Sequence, residues 1–195
     1  MGHGLALLLL AAVHGRVWAQ GAADGPVDLR REHRDLLARV EDRGRTPTPY
    51  LVIDTRANLL TVRDNAHRVE RRAVCSTGAA RRFEGRKSWH KWVFATPPGR
   101  FQVLRKVEGP LWTRPSWHFL ESGEEVPIFA EDRRRFQRGV LGRYALYFLP
   151  DYMIHGTLYE INLGKSVTHG CVRVGDEDLS YLFERVQTGW PVYVF

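Results

Sequence analysis

From Tyr50 onward the chain alternates apolar and polar positions with a period of two, the spacing of a half-buried strand. It predicts strands at Tyr50–Asp54 and Asn58–Arg63 joined by a short polar turn, and a third from Val69 to Ser76. Thr96-Pro97-Pro98-Gly99 reads as a turn that feeds one strand from Arg100 to Val107. Leu111 to Phe119 holds three aromatics and a proline, and Tyr144–Phe148 and Met153–Ile154 are short apolar stretches. A helical period occurs twice. Leu29, Leu36, Leu37 and Val40 mark a surface helix over Val27–Arg43, followed by a linker from Gly44 to Pro49. After Asp176, a candidate cap, Leu179, Leu182, Phe183 and Val186 mark a second helix that Gly189 is placed to stop. Trp190–Phe195 then forms a last strand, so truncation there is expected to damage folding. With no helix long enough for parallel crossovers, the strands are expected to pair as hairpin-like neighbours in a mostly β domain.

The composition, 44% hydrophobic and 26% charged, belongs to an ordinary globular chain and excludes bulk disorder. The apolar run Leu5–Val13 is too short to cross a bilayer and is followed by the small-residue end Val17-Trp18-Ala19. Residues 1–19 therefore read as a signal peptide, with an uncleaved anchor as the competing reading, since no Lys or Arg precedes the run. Cleavage removes Arg16 and no acid, taking the formal charge from +7 to +6. A basic exported protein, periplasmic or otherwise extracytoplasmic, suits anionic surroundings such as cell-wall polymer. The basic residues are scattered and sit in no nucleic-acid-binding frame, so nucleic acid is not the expected partner.

Cys171 stands in Thr168-His169-Gly170-Cys171-Val172-Arg173, just ahead of the second helix. Gly170 leaves space beside the sulfur for a sharp turn and for substrate approach, and backbone amides at such a turn suit a developing oxyanion. A thiol needs a base or a cation to act as a nucleophile, and His155 and His169 both qualify by type. Spacing alone does not choose between them, because the same-side rule for alternate residues lapses at a turn. His155, His169 and Cys171 carry suitable zinc donors, yet no fourth ligand or Glu-bearing zinc helix accompanies them, so no metal is expected. His90 and His118 sit among aromatics and read as structural.

Ile154-His155-Gly156-Thr157, Gly164 and Thr168-His169-Gly170-Cys171-Val172-Arg173 together resemble the signature of the YkuD-like L,D-transpeptidase catalytic domain. Val52-Ile53-Asp54 with Leu59 and Leu60 is similar to its opening strands, Ser76-Thr77-Gly78 to its small-residue turn, and Thr96–Phe101 to its proline-glycine segment. The resemblance covers Tyr50 to Phe195 and implies a β-sandwich or barrel of mixed sheets with a short helix after the cysteine. It implies a cysteine acyltransferase that takes an acyl group from peptidoglycan tetrapeptide stems at the L-centre of diaminopimelate. The acyl group then passes to a second stem, giving a 3→3 cross-link, or to a protein being attached to the wall. By the same resemblance Cys171 is the nucleophile, His155 the general base, and the peptide oxygen of Gly156 orients His155. The amides of Gly170 and Cys171 form the oxyanion hole, and Arg173, His169, Thr168 and Thr157 line the substrate site. Peptide aminolysis of this kind needs no cofactor. Thr168 stands where serine is commoner, Val172 and Val174 replace larger residues, and the basic, aromatic stretch Arg81–Trp92 has no place in the pattern.

Two other readings remain open at this level. Water as acceptor makes the same thioester the intermediate of a carboxypeptidase or amidase. Alternatively Cys75 approaches the pocket and pairs with Cys171, leaving an inactive disulfide-locked wall-binding module.

Overall fold

The computed structural model describes residues 46–195; the export segment and the Val27–Arg43 helix expected from the sequence lie outside the described residues. The first three strands, β1 (Tyr50–Asp54), β2 (Leu59–Arg63) and β3 (Val69–Gly78), form the antiparallel meander that the alternation predicts. The expectation of hairpin-like neighbours fails further on. The last strand, β14 (Pro191–Val194), inserts parallel to β1. β11 (Tyr152–His155) lies parallel to β13 (Val172–Val174), and β12 (Ser166–Thr168) parallel to β3. The crossover between β11 and β13 is made by a loop with a single 3₁₀ turn, Glu160–Asn162, and β12, so no long helix is needed.

The expected single strand after the proline-glycine turn is two strands. β6 (Gly99–Gln102) pairs with β14, the chain breaks at Val103-Leu104, and β7 (Arg105–Glu108) pairs with β10 (Tyr144–Leu149). One connected sheet results, in the order β6-β14-β1-β2-β3-β13-β11-β10-β7, with β12 attached to β3. The long strand β3 joins its halves, pairing with β2 along its first part and with β13 at Cys75 and Ser76. Two two-stranded sheets stand apart: the hairpin β4 (Arg81–Glu84) with β5 (Lys91–Phe94), and β8 (Leu111–Thr113) with β9 (Phe136–Arg138). The first accounts for the stretch that fits no family pattern. A short helix α1 (Ser116–Glu121) follows β8.

The core shows why the sheet curls. Leu51, Ile53, Leu60, Val62, Ala73 and Cys75 from one half meet Leu146, Phe148, Ile154, Val172 and Val174 from the other. Leu179, Leu182 and Val186 of α2 (Asp176–Arg185) and its C-terminal flank close the cluster. α2 begins at Asp176 itself after Gly175, and the expected side-chain cap hydrogen bond is not made; three acids in its first turn complement the helix dipole instead. Among the described residues no helix is long and apolar enough to cross a membrane.

The position of β14 between β1 and β6 generates a test. Val192 is fully buried opposite Leu51 and Phe101, whereas the Phe195 side chain is exposed and only its backbone bonds to Ile53 and Thr55. Val192→Ala is expected to cost about 2 kcal/mol in chemical denaturation. Phe195→Ala stays within about 0.5 kcal/mol, and deletion of 191–195 abolishes the cooperative transition.

Candidate active site

The register around β11 sorts the side chains into two faces. Ile154 sits opposite Val172, both in the main core, so the alternating residues Met153, His155, Cys171 and Arg173 point to the other face. There a second apolar cluster of Leu141, Ala145, Tyr147 and Met153 packs against Val107, Trp112, Val140 and Cys171. Two rows of side chains run across four strands on this face. Val107, Ala145, His155 and Arg173 form one by direct register. Arg105, Tyr147 and Met153 form the other, which extends by one residue beyond β13 to Cys171. The second row, with His155 and Arg173 of the first, floors a cavity of about 500 Å³ whose walls include Trp92, Trp112 and Trp117.

The turn that presents Cys171 is held from behind. Gly170 has φ +127°, and a methyl group built on it falls 2.6 Å from Tyr152 Cε1 and 3.0 Å from the Ala95 carbonyl. Thr96 Oγ1 accepts from the Gly78 amide at 2.9 Å and donates to the Gly170 carbonyl at 2.9 Å, tying the end of β3 to the turn. Thr168 is buried and points into the same turn: its hydroxyl donates to the Cys171 carbonyl at 2.6 Å and accepts from the Gly170 amide at 3.1 Å. The Gly170 N–H assigned to an oxyanion hole is therefore already engaged in this structure. Gly156, expected to orient His155 through its carbonyl, has a clear packing reason. Its amide donates to the Leu141 carbonyl at 2.8 Å, and its Cα lies against Gly142, so any side chain there meets backbone at 3.0 Å.

His155 is buried and lines the cavity, and its Nδ1 makes no well-formed hydrogen bond among the described residues, although the peptide oxygens of Gly156 and Leu141 lie close to the ring. Burial, reinforced by the nearby Arg173 guanidinium and opposed by the peptide oxygens of Gly156 and Leu141, drives its pKa down to about 4. Burial likewise pushes the Cys171 thiol up, as does Asp151, against the lowering pull of the Met153 amide and Arg173. At neutral pH both groups are uncharged, and the thiol rests 3.6 Å from the Asp151 carbonyl. Arg173, largely withdrawn from solvent, makes no salt bridge among the described residues.

The second histidine is committed elsewhere. His169 Nε2 lies 2.7 Å from Glu121 Oε2, its ring stacks on Trp117 with centroids 4.0 Å apart, and Phe94 meets it edge-on. Glu121 also binds Arg81, and these two partners outweigh burial and hold its carboxyl below the usual range. His169 thus fastens the β4–β5 hairpin and α1 to the Cys171 turn while showing part of its surface to the cavity. Thr157, expected at the substrate site, does not line the cavity; its Oγ1 accepts from the Tyr159 amide at 3.1 Å. Among the described residues no three His, Cys, Asp or Glu side chains cluster as metal ligands.

Cys75 does not approach the pocket. It pairs with Val174 on β13, faces the core, and burial raises its thiol to about 12. Three residues of strand, about 10 Å, and the thickness of the sheet separate it from Cys171, beyond the reach of a disulfide. Both cysteines are free, and the disulfide-locked reading fails.

Two outcomes follow from this geometry. Gly170→Ala is expected to cost at least about 2 kcal/mol, from a backbone conformation closed to alanine together with the Tyr152 clash, measured as a lowered denaturation midpoint. Because His155 is protonated less readily folded than unfolded, its contribution to stability is complete above pH 6.5 and is lost as pH falls toward 4. The loss amounts to about 3 kcal/mol, and urea titrations across that window should show the slope flattened in His155→Gln.

The residues 48–194 match the family model of the YkuD L,D-transpeptidase catalytic domain. The probable L,D-transpeptidase YbiS of Escherichia coli is 38% identical over 94 residues, covering 47% of this chain and 30% of that protein. The putative L,D-transpeptidase YqjB of Bacillus subtilis is 29% identical over 148 residues, 75% of this chain and 70% of that one. The match spans about a third of the length of YbiS and of ErfK/SrfK. In three dimensions the chain resembles an L,D-transpeptidase from Mycobacterium smegmatis, with TM-score 0.54 and 19% identity over 75% of this chain and 58% of that one. It also resembles one from Xylanimonas cellulosilytica, with TM-score 0.53 and 19% identity over 82% and 69%. The mixed sheet, the motif carried on β11 and the Cys171 turn, and the match over nearly all the described residues agree: the chain belongs to the YkuD family of L,D-transpeptidase catalytic domains.

Proposed function

We propose that the protein is an extracytoplasmic peptidoglycan L,D-transpeptidase that works through a Cys171 thioester. The observation that carries this is the shared face of β11 and the Cys171 turn. It puts a thiol, a buried neutral imidazole and an unpaired guanidinium along one wall of a peptide-sized cavity. The thiol leaves the Asp151 carbonyl by rotation about its side chain and passes its proton to His155 as sulfur attacks the diaminopimelate L-centre carbonyl of a tetrapeptide stem. The C–S bond forms, the peptide bond to D-alanine breaks, and the imidazolium returns the proton to the departing amine. In the second half a side-chain amine of another stem, or of a protein, gives a proton to His155 and displaces the thiolate, which is then reprotonated. With the Gly170 amide engaged by Thr168, the oxyanion falls to the Cys171 amide and the Arg173 guanidinium.

A low imidazole pKa suits this scheme. A histidine that stays neutral through the physiological range is always ready to accept a proton, and its weak basicity makes the imidazolium a strong acid toward the leaving amine. The cost is a thiol that is not pre-ionised. Cys171 should accordingly react slowly with iodoacetamide at neutral pH, with a rate that is still climbing at the pH where an unperturbed thiol levels off.

Intact mass measurement with a disaccharide tetrapeptide tests the whole reading. The wild type should gain a thioester adduct that Cys171→Ala lacks. His155→Gln should form it about 10²–10⁴ times more slowly, whereas His169→Asn, which loses an anchor and no proton carrier, should slow it by less than about tenfold. Cross-linked dimer in solution supports transpeptidation, trimmed tripeptide alone assigns the acceptor to water, and no adduct on the wild type overturns the proposal.

A further inference from the structure

We infer that Arg105 reads the carboxylate on the far, D-configured centre of the donor diaminopimelate, and so selects stems carrying that residue over stems carrying lysine. The inference rests on the reading of the site as a stem-peptide transpeptidase and extends it to a residue outside the family motif.

Arg105 opens β7 and starts the row that runs through Tyr147 and Met153 to Cys171. Its guanidinium lies over the Tyr147 ring, with Cζ 3.6 Å from the centroid, and Tyr147 is itself buried in the cavity floor. A guanidinium stacked by its face keeps its N–H edges directed outward, ready for a planar carboxylate. Among the described residues Arg105 has no acidic partner within salt-bridge distance, and of the arginines without one only Arg105 and Arg173 line the cavity. An arginine that is fixed by stacking, lines the cavity and lacks an anion is a site for one.

The spacing selects which anion. Arg105 and Cys171 stand three strands apart, about 14 Å between Cα atoms. Folding the side chain over Tyr147 moves the charge about one strand closer, to about 10 Å from the nucleophile's strand. The two carboxyl carbons of diaminopimelate are separated by six bonds, about 7–8 Å when extended. With the L-centre carbonyl at Cys171, the D-centre carboxylate therefore ends about one hydrogen-bond length from the guanidinium. The floor between the guanidinium and Cys171 is Met153, which is apolar and suits the intervening methylenes. Lysine fills the same floor and ends in an ammonium with no carboxylate, placing a cation beside Arg105.

Calorimetric binding to full-length Cys171→Ala, using tetrapeptide donors with diaminopimelate, with diaminopimelate amidated at the D-centre, and with lysine, decides the matter. The diaminopimelate donor should bind at least about tenfold more tightly than the other two, the scale of one charge-assisted contact. Adding Arg105→Ala should bring all three within about twofold, and Arg105→Lys should recover part of the preference. Equal affinity of the three donors for Cys171→Ala overturns the inference. So does an Arg105→Ala variant that weakens all three alike, since that is the signature of lost packing on Tyr147. Should Arg105→Ala fail to fold, the donor series with Arg105 in place still distinguishes a carboxylate-reading site from an indifferent one. Thioester formation on the Cys171 protein separates the two readings: donor preference without any adduct refutes the transpeptidase reaction and leaves the carboxylate site standing.

Discussion

The parallel pairing of β11 with β13 is the constraint on which the site depends. Once Ile154 is opposite Val172, Met153, His155, Cys171 and Arg173 are assigned to the cavity and Ile154, Val172 and Val174 to the core. The core face is the stronger determinant, because a one-residue slip would drive His155 and Arg173 into the cluster that holds Ile154, Val172 and Val174. Burial of those apolar residues thereby holds an imidazole and a guanidinium in a place where desolvation opposes both charges. The hydrophobic effect positions the polar groups of the cavity, and they take on perturbed ionisation as a consequence.

The same logic explains why the cysteine precedes β13 and is not part of its ladder. In the proposed role the Cys171 thiol needs room to leave its resting contact with the Asp151 carbonyl, and a paired strand residue has little. The turn is nevertheless fixed, since Thr168 bonds to the Gly170 amide and to the Cys171 carbonyl, and Thr96 holds the Gly170 carbonyl against the end of β3. Mobility is confined to the side chain while the backbone is locked. The aromatic and ionic contacts of His169 with Trp117, Phe94 and Glu121 add a third fastening, this one from the hairpin side of the cavity.

Much of this is legible in the chain itself, and the limits are physical. The meander β1–β3 follows from clean alternation, and Cys171 and His155 follow from a motif whose glycines mark close backbone approaches. The parallel pairs escape the sequence pattern because the usual sign of a crossover is a helix, and here a 3₁₀ turn and a short strand make the same connection. Thr96 reads in the sequence only as part of a turn; its role as a bridge depends on β3 and the Cys171 turn coming together, which no local pattern encodes. The aromatic density of 83–94 and 111–119 is visible, but nothing in it distinguishes Trp92 and Trp117 on the cavity wall from Trp89 on the surface. The expectation for Cys75 fails for a similar reason. Proximity in the sheet is foreseeable, whereas the face on which the thiol lies is set by register with Val174.

A site assembled from a row across strands has one further property. Residues in such a row are adjacent in space at a spacing fixed by backbone hydrogen bonding, about 4.8 Å per strand, whatever their side chains are. The floor from Cys171 to Arg105 is therefore a ruler whose length the sheet sets, and on the proposed reading a stem peptide is measured against it through the groups at its two ends. A change at Met153 or Tyr147 alters the depth of that floor without altering its length. A change at Arg105 alters what is read at the far end without touching the chemistry at the near one. Selectivity and reactivity are thus separable along a single line of residues, and the division follows from the regular geometry of the sheet.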